Sequence, residues 1–154
     1  AQDFKAAILD FEKAAERATT KADSEVDIRV RMGALTEKVG EPDKALEIYR
    51  QVLALVEGPR KPKGGMRDYP RAVQSAARLL VEKKQYDEAL AILGKYDTSL
   101  SKTWGVTIPE MAGDIHATLK QNDKAAAKYR EALTNAGDQA RYITRINKKL
   151  ESLK

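Results

Sequence analysis

The sequence predicts an all-α chain of repeated helical hairpins, and three observations carry that expectation. A pair of small residues recurs at one spacing: Gly33 with Ala45, Ala77 with Ala89, and Gly113 with Ala125. Each pair straddles a turn, at Gly40-Glu41-Pro42-Asp43, Gln85-Tyr86-Asp87-Glu88 and Gln121-Asn122-Asp123-Lys124, and a bulky residue (Tyr49, Leu93 or Tyr129) follows each alanine by one helical turn. Small residues there let two antiparallel helices approach closely, while the bulky one fills the space beside the crossing. The third observation is composition. With 33% charged and 42% hydrophobic residues over 154 positions, the chain suits long solvated helix faces over a core buried layer by layer.

These residues resemble the tetratricopeptide repeat family, whose unit of about 34 residues is a helix pair with a small residue in the first helix and Ala-x-x-x-Phe in the second. The resemblance covers three units, about 26–59, 70–103 and 106–139, and a half unit at 1–18, in which Ala7, Phe11 and Ala14 read as a second helix. It implies one domain over residues 1–154, a right-handed α-solenoid of hairpins closed by a C-terminal capping helix at about 138–152. Departures from the family pattern are plain: no Trp opens a first helix, Leu93 replaces the aromatic, and the closing Pro is missing. The anchor alanines, Ala7, Ala45, Ala89 and Ala125, lie further apart than one unit, so the connecting loops are long. A start inside a repeat reads as a fragment of a longer chain or a processed form. Upstream residues, or another copy associating through the exposed N-terminal helix, are expected to cover Ile8 and Phe11.

Taken in order, residues 2–20 form a helix with Phe4, Ala7, Ile8, Phe11, Ala14, Ala15 and Ala18 on its apolar stripe. Ser24 with Asp27 reads as a capping box opening a helix that runs to about Val39 and buries Val26, Val30 and Gly33. Pro42, tolerated in a first turn, starts a helix carrying Ala45, Leu46, Tyr49, Val52, Leu53 and Val56 to Gly58. The Pro- and Gly-rich run from Gly58 to Pro70 is a basic loop. Pro70 then begins a helix with Val73, Ala76, Ala77, Leu80 and Val81, partnered by Tyr86–Tyr96. Residues 97–105 read as a loop from which Leu100 and Trp104 tuck into the stack. Thr107 and Glu110 read as a second capping box with Pro109 in the first turn, and the resulting helix holds Met111, Ala112, Ile115 and Leu119. Its partner runs from Asp123 to Ala136. After the break at Gly137-Asp138, Ala140, Ile143, Ile146, Leu150 and Leu153 form one face of a last helix, with Arg141, Arg145, Lys148 and Lys149 opposite.

No enzyme constellation is legible, and no cofactor or metal is expected. Zero cysteines exclude disulfides and thiolate sites and fit either a reducing or an oxidising compartment, so the sequence leaves open whether the chain works in the cytoplasm or, after signal removal, in the periplasm or another extracytoplasmic space. No stretch approaches the roughly 20 apolar residues of a membrane span. The one histidine, His116, has no ligand set near it in sequence and reads as a packed or half-exposed helix residue. What remains is a surface. The resemblance implies that first helices line a groove that binds a protein or peptide, with Arg31, Lys38, Arg71, Gln74, Arg78, Glu110 and Asp114 as its contact residues and Arg31 and Arg78 gripping carboxylates. The family's C-terminal carboxylate clamp is not expected, since Val30, Ala34, Ser75, Thr107 and Met111 stand where its polar residues would fall. A small-molecule substrate is not expected either. Two alternatives stand beside this scaffold reading. One is a structural or regulatory segment of a larger enzyme or membrane-anchored protein. The other is contact with an anionic surface or nucleic acid through the basic loop 58–70 and the last helix, two basic patches on a chain of formal charge +5. Nucleic acid is the less favoured partner, because basic clustering is sparse.

Overall fold

A computed structural model describes residues 2–18, 22–58 and 67–154 of the protein, so most of the expected basic loop lies outside the described residues. The described residues form α1 (Gln2–Arg17), α2 (Ala22–Lys38), α3 (Pro42–Glu57), α4 (Tyr69–Glu82), α5 (Tyr86–Gly94), a 3-10 turn (Thr98–Leu100), α6 (Lys102–Thr118), α7 (Asn122–Ala136) and α8 (Ala140–Glu151). There is no strand among them, and the all-α hairpin class expected from sequence is the one that forms. The chain divides into two compact units, Ala1–Leu79 and Leu80–Lys154.

The turns repeat with one geometry. Gly40, Lys84 and Lys120, each five residues before an anchor alanine, adopt positive φ of 83°, 60° and 57°. In all three the next residue's N–H reaches back to a helix carbonyl, Glu41 to Thr36 at 3.1 Å, Gln85 to Leu80 at 2.8 Å and Gln121 to His116 at 2.9 Å. This is the left-handed helix stop that satisfies the last carbonyls and reverses the chain. Only the first turn uses the residue that adopts this conformation without strain; Lys84 and Lys120 hold it against their Cβ.

In the first unit α1 packs on α2 and α2 on α3. Gly33 lies against the Tyr49 ring so closely that an added Cβ would stand 2.6 Å from Cε1. Tyr49, Val26, Val52 and Ala45 are closed off from solvent around this crossing. In the second unit α6 packs on α7 and α7 on α8. Gly113 faces Tyr129 as Gly33 faces Tyr49, with the virtual Cβ at 2.5 Å. Val106, Ala125, Tyr129, Ala132, Ala136, Tyr142 and Ile146 make the core there.

Several local expectations are corrected. Helix α2 begins at Ala22, so Ser24 is already inside it and is not its cap. Helix α6 begins at Lys102, capped by the Ser101 hydroxyl, which accepts from Trp104 N–H at 3.4 Å. Thr107 and Glu110 are therefore interior residues, and Thr107 Oγ1 donates to the Thr103 carbonyl at 3.0 Å. Leu100 is 60% exposed and does not tuck in, while on the apolar stripe of α1 Phe4 is 42% exposed, Ile8 and Phe11 are half-buried and Ala15 is buried. On α8, Tyr142 joins Ile146 in the core, whereas Ala140 is exposed.

Pro109 is consequently inside α6, where it has no N–H for the Gly105 carbonyl four residues earlier. Asn135 of α7 replaces that donor: its Nδ2 donates to Gly105 O at 2.8 Å. Gly105 itself cannot carry a side chain, since a Cβ would sit 2.4 Å from the Thr98 carbonyl oxygen. Asn135→Ala should therefore leave a buried carbonyl without a donor and cost about 1–2 kcal/mol in chemical denaturation. On a Pro109→Ala background, where residue 109 regains its N–H, the same substitution should cost clearly less. Equal costs in the two backgrounds would remove this account.

Candidate functional site

Both units contain a pair of helices cross-linked at one offset. In the first, Tyr49 Oη donates to Glu37 Oε1 at 2.8 Å, and the same carboxylate is ion-paired with Arg78 of α4, 41 residues on. Asp27, nearly three turns before Glu37, lies close enough to Asp68 at the start of α4 for the two carboxyls to act on each other, at the same 41-residue separation. Two links at equal offset set α2 and α4 parallel and in register. In the second unit Arg145 Nε donates to Glu110 Oε1 at 2.8 Å and Lys149 Nζ to Asp114 Oδ1 at 2.7 Å, both 35 residues apart. Helix α8 therefore lies parallel to α6.

Charge is arranged to hold these pairs together. Glu110 is only 6% exposed, and its carboxylate takes Arg145 through two guanidinium nitrogens and Lys149 at 2.9 Å. Asp114 accepts from Tyr129 Oη at 2.8 Å as well as from Lys149. Burial, then the bonded carboxylate, push the phenols of Tyr49 and Tyr129 well above the usual tyrosine range, so both remain donors. The Arg141 and Arg145 guanidiniums lie 4.5 and 5.2 Å from the Tyr142 ring centre.

The structure thus distributes the residues singled out from sequence in two groups. Arg31, Lys38, Arg71, Gln74 and Arg78 fall on the α2 and α4 pair. Arg31, Lys38 and Arg71 are exposed, Gln74 is half-buried, and Arg78 is tied to Glu37. Glu110 and Asp114 fall on α6 under the cations of α8. Sequence reasoning placed Arg145 and Lys149 on a basic face and Arg67 and Asp68 in a basic loop but missed the partners they meet, and it missed Tyr142. For the first two a signal existed: Arg145 and Lys149 repeat the four-residue spacing of Glu110 and Asp114 with opposite charge. His116 Nδ1 sits 2.8 Å from Gln121 Oε1 on the rim of a cavity of about 190 Å³ floored by Leu93, Ile108, Pro109 and Ala112. Among the described residues no cluster of His, Asp and Glu could hold a metal, and no helix is long and apolar enough to cross a membrane.

The Asp27 and Asp68 pair brings two acids together. Desolvation raises the Asp27 carboxyl above its ordinary range, and the Asp68 charge adds to it, while Arg31 and Arg67 pull the other way and the hydrogen bond to Asp68 favours the neutral acid. A raised native pKa means that the folded chain holds this proton more tightly than the unfolded one. Its contribution to stability is present at acid pH and is lost as pH rises from the ordinary carboxylate range through the raised native value. Asp27→Asn should accordingly be more stable than the parent at neutral pH, with the gap closing as pH falls into that range. Thermal unfolding across a pH series checks this, and a gap that does not change with pH would refute it.

Comparison with known proteins agrees with this geometry. Residues 72–154, more than half of the chain, match the model of the tetratricopeptide repeat-like domain, and residues 30–63 match that of the tetratricopeptide repeat. No curated protein and no solved structure matches the chain. Hairpins crossing at a glycine and a tyrosine, first helices parallel and in register, and a family match over α4 to α8 lead to one conclusion: the chain belongs to the tetratricopeptide repeat-like family, whose repeats generally mediate protein–protein interaction.

Proposed function

We propose that the protein is a non-catalytic interaction module that binds a protein or peptide segment along its first helices. The observation that carries this reading is the parallel, cross-linked α2 and α4 pair. Exposed Arg31, Lys38 and Arg71 are presented on helices already held together by the Glu37 and Arg78 ion pair. A surface organised before binding loses little conformational freedom on association. In the second unit Asp114 is the contact residue, since its side chain stays 46% exposed although ion-paired, and Glu110 keeps α8 in place beside it.

Contact with an anionic surface through the last helix has less support. Arg145 and Lys149, half of the cations on that face, are engaged by Glu110 and Asp114. Arg141 donates to the Tyr142 hydroxyl at 2.7 Å.

The test is affinity capture with the parent chain, an Arg31→Glu, Lys38→Glu, Arg71→Glu variant, and a Lys124→Glu variant altered on the exposed side of α7. All three should give the same helical circular dichroism. Proteins retained by the parent and Lys124→Glu chains should be lost from the triple variant. The same proteins on all three chains would place binding elsewhere.

A further inference from the structure

We infer that Arg31, Arg67 and Arg71 form a docking site for the carboxylates of an acidic segment of a partner protein. This rests on the interaction reading above and assigns its chemistry in the first unit. The three residues come from two places, α2 and the start of α4, and flank two neighbouring acids, Asp27 and Asp68. Arg67 Nε and Arg71 Nη1 approach Asp68 Oδ1 at 4.0 and 3.6 Å, and the charges of Arg31 and Arg67 act on Asp27.

Asp68 organises the cluster without saturating it. Its side chain is 4% exposed and Oδ1 has no hydrogen-bond donor among the described residues, because both guanidiniums stand off beyond hydrogen-bond distance. The buried charge thus attracts Arg67 and Arg71 without a hydrogen bond to its Oδ1, and their side chains are 81% and 64% exposed. Arg31 is exposed as well. A guanidinium presents a planar fork of donors matched to a carboxylate, and three such forks flanking a pair of acids suit a run of carboxylates better than a single one. Arg78, by contrast, is held by Glu37 and is not part of the site.

The same forks fit phosphate, but the surroundings favour an acidic peptide. Polynucleotide surfaces combine dense positive charge with exposed aromatic faces. Here Asp27, Asp68 and Glu37 moderate the charge, and the neighbouring aromatic, Tyr69, is buried.

Fluorescence anisotropy tests the assignment with a labelled Glu-rich peptide, a neutral Ser/Gly peptide of equal length and a single-stranded oligonucleotide of equal charge. The full chain should bind the Glu-rich peptide in preference to both others. Arg31→Gln, Arg67→Gln and Arg71→Gln should each weaken binding by about fivefold and the triple variant should abolish it, while Lys124→Gln has no effect. The proposal is overturned if the acidic peptide binds no better than the neutral one, if the triple variant still binds it, or if the oligonucleotide is preferred. Those failures are separable from failure of the interaction reading. If Lys38→Glu alone still removes captured proteins while the acidic peptide is ignored, the module reading stands without this site; if capture too is insensitive to the α2 and α4 face, both fall.

Discussion

A tyrosine ring packed against a glycine is the contact on which each hairpin with that pairing depends. Where Gly33 meets Tyr49 and Gly113 meets Tyr129, the missing Cβ lets the second helix bring its largest side chain into the crossing. Each ring is almost wholly buried, worth roughly 3 kcal/mol in transfer free energy. Its position also fixes where the hydroxyl emerges. That hydroxyl reaches an acid on the first helix, Glu37 or Asp114, and the acid in turn holds a cation from the next parallel helix, Arg78 or Lys149. Packing inside the hairpin is thereby coupled to the register between first helices, which is the link from sequence to binding face. The middle pair, Ala77 and Ala89 with Leu93, has no phenol to continue the chain of contacts, although all three residues are buried.

The parts legible in the sequence are those set by local period and by one short-range spacing. Small residues, turns and apolar stripes placed α3, α5 and α7 close to where they form, and the anchor alanines are all closed off from solvent, apart from the half-buried Ala7. Helix starts were harder. Ser24 and Thr107 had the right neighbours for a cap, yet α2 begins at Ala22 and α6 is capped earlier, by Ser101, and the Asn135 amide made Pro109 tolerable inside α6. No local rule could foresee a donor supplied from 30 positions away.

The candidate site was legible at the level of which helix carries it, and less so at the level of which charge is available. Arg31 and Arg71 were named as surface residues and are exposed, but Arg78, Glu110 and Asp114 are engaged by partners that only the parallel register brings near. The basic face of the last helix was read as a contact for an anionic surface because its acidic complement lies 35 residues earlier. Arg67, counted with a basic loop, belongs with α4 through Asp68. Charge in a stack of parallel helices is therefore read correctly only after the offset between them is known.

The glycines offer the most direct check on the central contact, because two effects oppose each other there. In an open helix position Gly→Ala stabilises by about 0.5–1 kcal/mol, and Gly94, with nothing within 4 Å of a virtual Cβ, is such a position. At Gly33 and Gly113 the added methyl meets a buried ring, and the overlap should dominate. Denaturant unfolding of the three single variants should show Gly33→Ala and Gly113→Ala destabilised by about 1–3 kcal/mol and Gly94→Ala unchanged or more stable. If Gly33→Ala and Gly113→Ala instead match Gly94→Ala, the rings do not occupy those crossings, and the coupling of hairpin packing to helix register fails with them.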